Sequence, residues 1–416
     1  MAKTVDISEI SGGVLAAKGF VAAVVAAGIK PPPALDMVMI HSQHPATAAA
    51  TVTSNTFRAA PTYVTQEAVA DGSARTIIVN SGNANAGTGE QGMKDACAMG
   101  AIAAEATGVE PSEVIVCSTG HIGDLLPMDV VAAGIKSLGG MLSTDDPDRI
   151  ARGIMTTDTV PKQCAVEFAL GKHTIRLGGI CKGAGMICPN MATMLCFITT
   201  DVAIEPKPLR DTLKWCIARS FNCISVDGDE STNDTVAVLA NGQAGNRPID
   251  DVTSDDAVVF RAALLHVTQS LARQIAADGE GSSKFITVNI TGAQSYEQAR
   301  TVGRSITNYN LVKTAVYGGD FNWGRIAAAI GASEAPIDVN KLKLALCGIT
   351  VFTNGNVADF DLQLGRKRMA EKEITIDVDL GLGNEALTLW SCDLTPEYVH
   401  ENAEYDASHL AGAESD

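Results

Sequence analysis

Short runs of β-forming residues alternate with helical patterns along the whole chain, and no long Ser-, Pro- or Gly-rich linker separates them. That alternation restricts the architecture to α/β or α+β, with several mixed β-sheets layered between helices. Strands are predicted at Thr76–Val79, Glu113–Cys117, Met194–Thr199, Thr235–Leu239, Phe285–Ile290 and Ile374–Leu380. Helices are predicted at Glu90–Thr107, Met128–Leu138, Lys207–Arg219, Asp255–Ala277 and Tyr296–Ile306. The helix from Asp255 opens with acids and spaces Val259, Ala262, Ala263 and Val267 along one side, the pattern of a helix lying on a sheet. No internal repeat is visible.

A chain of 416 residues has room for two or three domain-sized units. No segment approaches the ~20 uninterrupted apolar residues of a membrane span. The formal charge of −17 repels a phosphate backbone, and no basic cluster with interleaved aromatics offsets it, so nucleic acid is a poor partner. None of the ten cysteines forms a C-x-x-C pair, which removes zinc-type spacing and fits a reducing compartment. The apolar stretch Phe20 to Ile29 reads as a strand of the mature protein. Asp6 and Glu9 precede it and Pro31-Pro32-Pro33 follow, which does not suit an export signal, and a cytoplasmic location is expected.

Several catalytic motifs are absent. There is no G-x-S-x-G elbow and no G-x-x-x-x-G-K-[ST] loop, and the Gly183/Gly185 pair lacks the third glycine of a dinucleotide fingerprint. The acidic run Asp227 to Asp234 has Thr232 and Val238 where a calcium loop needs Gly and Glu, and it reads either as a polar turn or as an active-site loop. The seven histidines show no ligand spacing. No metal site is expected.

The informative segment is Cys181 to Thr200, CKGAGMICPNMATMLCFITT. Its first half carries two glycines and a proline, marks of an irregular backbone, and its second half is a strongly apolar β-run. Thr193 lies at the junction. A strained bond before a hydroxyl residue can shift from nitrogen to oxygen and hydrolyse, leaving a free α-amine beside the hydroxyl. With an unperturbed pKa of about 7.7–8.0, that amine can serve as the hydroxyl's base without a histidine. The small Ala192 leaves room for the tetrahedral intermediate.

Further segments carry a resemblance. Asn80-Ser81-Gly82-Asn83-Ala84-Asn85, Ser118-Thr119-Gly120, Thr156-Thr157-Asp158-Thr159 and Lys182 to Met186 are followed by Pro189 to Leu195, Asp227-Gly228-Asp229, Ser231 to Thr235 and Asn322-Trp323-Gly324-Arg325. In this order they resemble the signature blocks of the ornithine acetyltransferase (bifunctional glutamate N-acetyltransferase) family, and they span about Gly12 to Tyr405. The resemblance implies a DmpA/ornithine-acetyltransferase-like fold and a precursor cut between Ala192 and Thr193. The products would be an α chain of residues 1–192 and a β chain of residues 193–416, assembled as α2β2. It also implies a ping-pong transfer of acetyl from N-acetylornithine to glutamate in arginine biosynthesis, with acetyl-CoA as a possible further donor and no cofactor. Thr193 matches the nucleophile and Thr119 with Gly120 the oxyanion hole. Thr156, Lys182, Glu280 and Asn402 match substrate-binding positions.

The chemistry of these residue types fits the roles. A hydroxyl and a glycine N–H after a strand can stabilise an oxyanion, a lysine suits a carboxylate and a glutamate suits an ammonium. The sequence departs from the family pattern at His121, where a small aliphatic residue is usual, and at Gly87, where cysteine is common. It departs again after Tyr405, where Asp406-Ala407-Ser408 stands in place of an arginine followed by a hydroxyl residue. Two alternatives stay open: an N-terminal-nucleophile amide hydrolase or aminopeptidase of the same fold, and a non-catalytic amino-acid-binding relative.

Overall fold

In the computed structural model, residues 5–144, 146–188 and 194–403 are described. Ala192 and Thr193 lie outside the described residues, as do Tyr405 and the Asp406-Ala407-Ser408 tail. The chain divides into two compact units. The first comprises residues 1–183, 189–222 and 230–275, and the second residues 184–188, 223–229 and 276–416.

The first unit holds two facing sheets. One has six strands, in the order Ile7–Ile10, Lys162–Leu170, His173–Lys182, Leu195–Thr200, Thr235–Ala240 and Thr47–Val52. The other has four, in the order Phe20–Val25, Met37–Ser42, Thr76–Asn83 and Val114–His121. Phe20, Val24, Ile40, Ile77, Val79 and Ile115 of the smaller sheet share one buried cluster with Ile180, Leu195, Phe197 and Leu239 of the larger. The opposite face of the four-stranded sheet, with Met37, Met39, Ile78 and Val116, packs on Met99 and Ala103 of the helix Gly89–Thr107 and on Val131, Ile135 and Leu138 of the helix Met128–Gly139. Covered on both sides, Met37–Ser42 is buried at all six positions, which is why Met37 to Ile40 run apolar without alternation.

Leu195–Thr200 is likewise buried at every residue, and it lies antiparallel to His173–Lys182 and parallel to Thr235–Ala240. The helix Asp255–Ala277 runs near Cys181, whose thiol meets the Leu271 carbonyl. The buried stripe of that helix is Phe260, Ala263, Leu264, Val267 and Leu271, with Val259 and Ala262 half-buried on its flank. Ala263 and Val267 of the expected face are thus buried, while Val259 and Ala262 lie at its edge because Phe260, the largest apolar group there, turns inward beside them. The Phe20 run also ends sooner than expected, at Val25. The buried Asp36 carboxylate draws in the N–H groups of Ala27, Gly28, Ile29 and Lys30 at 2.6, 2.9, 2.7 and 3.1 Å, and these donors are lost to any ladder.

The second unit is built on one seven-stranded mixed sheet in the order Ile224–Ser225, Glu385–Cys392, Phe285–Ala293, Glu373–Asp379, Lys343–Leu346, Ile349–Thr353 and Asn356–Val357. The helix Tyr296–Thr307 packs against it through Ala299, Val302 and Ile306. Gly303 allows the close approach, since a Cβ there would sit 2.1 Å from the Leu389 side chain. Among the described residues no helix is long and apolar enough to cross a membrane.

Candidate active site

The first unit gathers its chemistry where two parallel strands end side by side. Thr76–Asn83 and Val114–His121 pair as Ser81 with Thr119 and Gly82 with Gly120. Gly120 has φ +138°, and a Cβ on it would lie 2.2 Å from the Gly82 carbonyl carbon and 2.4 Å from the Asn83 nitrogen. Only glycine fits at that approach. The same corner is tied from a third side by Asn233, whose amide donates to the carbonyls of Ala84 at 2.6 Å and Ser118 at 2.9 Å. The turn carrying Thr119 and Gly120 is thus held by backbone pairing and by one buried side chain.

Lys182, at the end of its strand and 9% exposed, donates to the Thr119 hydroxyl oxygen at 3.3 Å. A hydroxyl that accepts from an ammonium has its own proton free and polarised, which suits it to donate to a developing oxyanion. Behind Lys182 lies a fully buried carboxylate, Asp158. It accepts from Lys162 Nζ at 2.6 Å, from the Gly183 N–H at 2.6 Å and from the Thr156 N–H at 3.0 Å. Burial pushes the Asp158 carboxyl up, but Lys182, Lys162 and the Gly183 N–H together outweigh it and hold the group below its ordinary value. Thr156 enters this network through its backbone and is itself half-buried.

A second acid, Asp234, stands next to Thr235, whose N–H donates to the Met194 carbonyl at 2.9 Å. It is 2% exposed, and among the described residues its Oδ2 has no hydrogen-bond partner. Burial pushes its carboxyl well above the ordinary value, against weaker opposition from the Ser231 hydroxyl and the Lys182 charge. Asp234 therefore stays protonated at pH values where an exposed carboxylate is ionised. It adjoins Met194, the residue after Thr193.

In the second unit Glu280 and Asn402 meet directly, with the Asn402 amide donating to Glu280 Oε2 at 2.9 Å. The Glu280 N–H donates to the Ala184 carbonyl at 3.0 Å, and a Cβ at Gly185 would lie 2.2 Å from the Glu280 carboxylate. Asp227 accepts from the N–H groups of Met186 at 2.6 Å and Ile187 at 2.8 Å and from the Tyr398 hydroxyl at 3.3 Å. Burial, then Asp227 and Asp229, push the Tyr398 phenol upward; burial and Glu280 push the Glu401 carboxyl upward. This is an acidic surrounding that favours a cation.

The structure thus brings Thr119, Gly120, Lys182 and Thr156 into one network and Glu280 and Asn402 into another. The acidic run from Asp227 splits by role: Asp227 fixes the Met186 turn, while Asn233 and Asp234 are buried structural and chemical groups. Asp158 and Asp234 have no sequence signal of their own as acids, although each lies inside a signature block. His121, at the first departure, turns its ring to Asp124 at 2.9 Å and keeps its carbonyl in the turn, where it accepts from the Ala84 N–H. Among the described residues no cluster of His, Cys, Asp and Glu has metal-binding geometry.

Comparison with known proteins places the chain in a family. The sequence profile of the ArgJ family matches residues 21–407. Among the curated relatives is the arginine biosynthesis bifunctional protein ArgJ of Symbiobacterium thermophilum, 45% identical over 95% of this chain and 99% of the relative. The protein of the same name from Geobacter sulfurreducens is 44% identical over 93% of this chain and 99% of the relative. Among solved structures, ornithine acetyltransferase complexed with ornithine from Mycobacterium tuberculosis is 40% identical, covers 45% of this chain and 100% of that one, and has a TM-score of 0.41. With a family match across nearly the whole sequence and relatives of this identity, the chain belongs to the ArgJ family.

Proposed function

We propose that the chain cuts itself between Ala192 and Thr193 and then transfers acetyl from N-acetylornithine to glutamate through an acetyl ester on Thr193, as a step of arginine biosynthesis. The Thr193 hydroxyl adds to the acetyl carbonyl of the donor while its own α-amine takes the proton. The tetrahedral oxyanion is met by the Thr119 hydroxyl and the Gly120 N–H, ornithine leaves with the proton, and glutamate's amine reverses the sequence. The observation that carries the reading is the Thr119–Lys182 contact beside the Gly82–Gly120 strand ends, a preorganised donor pair of the kind worth about 3–4 kcal/mol per donor.

Lys182 and Thr156 are assigned to the substrate carboxylate, and Glu280 with Asn402 to an ammonium. The products, residues 1–192 and 193–416, assemble as α2β2 in the cytoplasm, and no step calls for a cofactor. Acetyl-CoA is the further donor to be assayed. Purified protein should run as two denatured bands, with N-terminal sequencing of the second beginning at Thr193. Thr193→Ala should stay a single inactive band, and an intact, fully active Thr193→Ala protein would refute the proposal. Release of free acetate with no N-acetylglutamate would point instead to the hydrolase alternative.

A further inference from the structure

Glutamate presents two carboxylates, whereas N-acetylornithine presents one carboxylate and an ammonium. An acceptor site for glutamate therefore needs a second cation beyond Lys182, and the first unit holds a candidate at the same corner. The stem of Lys30 passes over the paired glycines: a Cβ at Gly82 would lie 2.7 Å from Lys30 Cγ, and Gly82 is the partner of Gly120. Its ammonium donates to the Met155 carbonyl at 3.0 Å, one residue before Thr156. The backbone of the same residue is pinned by Asp36 at 3.1 Å.

Lys30 is only half-buried, and among the described residues its ammonium has one protein acceptor for three donors. Asp158 is already taken by Lys162, Gly183 and Thr156, and Asp36 by four backbone N–H groups. Burial lowers the Lys30 pKa, Asp36 and Asp158 oppose the shift, and Lys182 adds to it. A partly desolvated ammonium beside a second one, with two donors left for a ligand or solvent, is a seat for an anionic oxygen pair.

We propose that Lys30 receives the side-chain carboxylate of the acceptor glutamate, while Lys182 meets the α-carboxylate. The division follows from connectivity. The α-carboxylate is one carbon from the reacting amine, which must face the oxyanion hole, and Lys182 is the cation bonded to the oxyanion hydroxyl. This inference rests on the acyl-transfer reading of that corner.

The test compares glutamate with glutamine, which keeps the α-carboxylate and loses the second one. Enzyme charged with N-acetylornithine is offered each acceptor over a range of concentrations, and the N-acetylated products are quantified by mass spectrometry. Lys30→Gln should raise the KM for glutamate by roughly tenfold or more, the size of one charge-assisted hydrogen bond, and change that for glutamine by less than about threefold. Lys30→Arg should keep most of the preference for glutamate. Equal rises for both acceptors overturn the proposal, because they would place Lys30 on the shared carboxylate or on the loop alone. So does a wild-type enzyme that takes glutamine as readily as glutamate. If Lys30→Gln fails to assemble, loss of the preference in Lys30→Arg is the overturning result. The acetyl adduct separates the two levels: its absence from Thr193 in wild-type protein sinks the acyl-transfer reading, whatever Lys30 does.

Discussion

Replacing Gly120 by alanine tests the geometry of the proposed oxyanion corner with a built-in control. Gly120 and Gly123 both have positive φ, +138° and +105°, so an alanine at either carries a backbone penalty on the order of 1–2 kcal/mol. At Gly123 the new methyl meets nothing within 4 Å. At Gly120 it arrives 2.2 Å from the Gly82 carbonyl carbon, where contacts under 3.0 Å are essentially never tolerated. The strand ends must part by at least 0.8 Å, the difference between those two distances. Misplacing catalytic donors by about 1 Å costs around 10²-fold, so Gly120→Ala should lose about that much kcat/KM while Gly123→Ala stays within about threefold. The assay is N-acetylglutamate formation from N-acetylornithine and glutamate, run on samples matched for cleavage. Gly120→Ala retaining more than a third of wild-type kcat/KM would refute the argument that this approach sets the donor geometry.

Other expectations follow from the same contacts. Thr119→Val should reduce kcat by about 10²–10³-fold with a smaller change in KM, read from the same assay. Asp158→Asn should lower stability by about 3–5 kcal/mol in urea denaturation, because it removes one charge of the fully buried Lys162–Asp158 pair. Glu280→Gln should raise the KM for N-acetylornithine more than it lowers kcat, since a cation partner is lost rather than a reacting group. For Asp234 the sign is set by a raised folded pKa: its stabilising contribution is complete below the unfolded value of about 3.9 and is lost as pH rises through the folded one. Asp234→Asn should therefore flatten the fall of melting temperature above pH 4, and an unchanged slope would contradict a protonated buried acid.

Where the apolar pattern keeps a regular period the sequence is easily read. Thr76–Val79, Phe285–Ile290 and the helix from Asp255 sit where periodicity puts them, because the same residues that fill the core set the pattern. The Lys162–Leu170 and His173–Lys182 strands went unpredicted, since Lys162, Glu167, Arg176 and Lys182 interrupt their apolar pattern. The family motifs marked Thr119, Gly120 and Lys182, yet nothing in a linear string distinguishes a solvated aspartate from Asp158 or Asp234. Their burial arises only when distant strands close over them. Lys30 was hidden for a related reason. Its importance comes from lying across Gly82, and that crossing depends on Asp36 turning the chain after Val25.

The six-stranded sheet has a further consequence for maturation. Four of its strands precede residue 193 and two follow it, and the later two, Leu195–Thr200 and Thr235–Ala240, are adjacent and flanked on both sides by earlier ones. Once the peptide link is severed, the fragments remain interleaved, but covalent memory of their pairing is gone. Denatured precursor can refold by a first-order search, whereas processed protein must find its mate by collision. If the chain is processed as proposed, recovery from urea should depend on dilution for the processed protein and not for Thr193→Ala, and reversibility is exchanged for a new N-terminus.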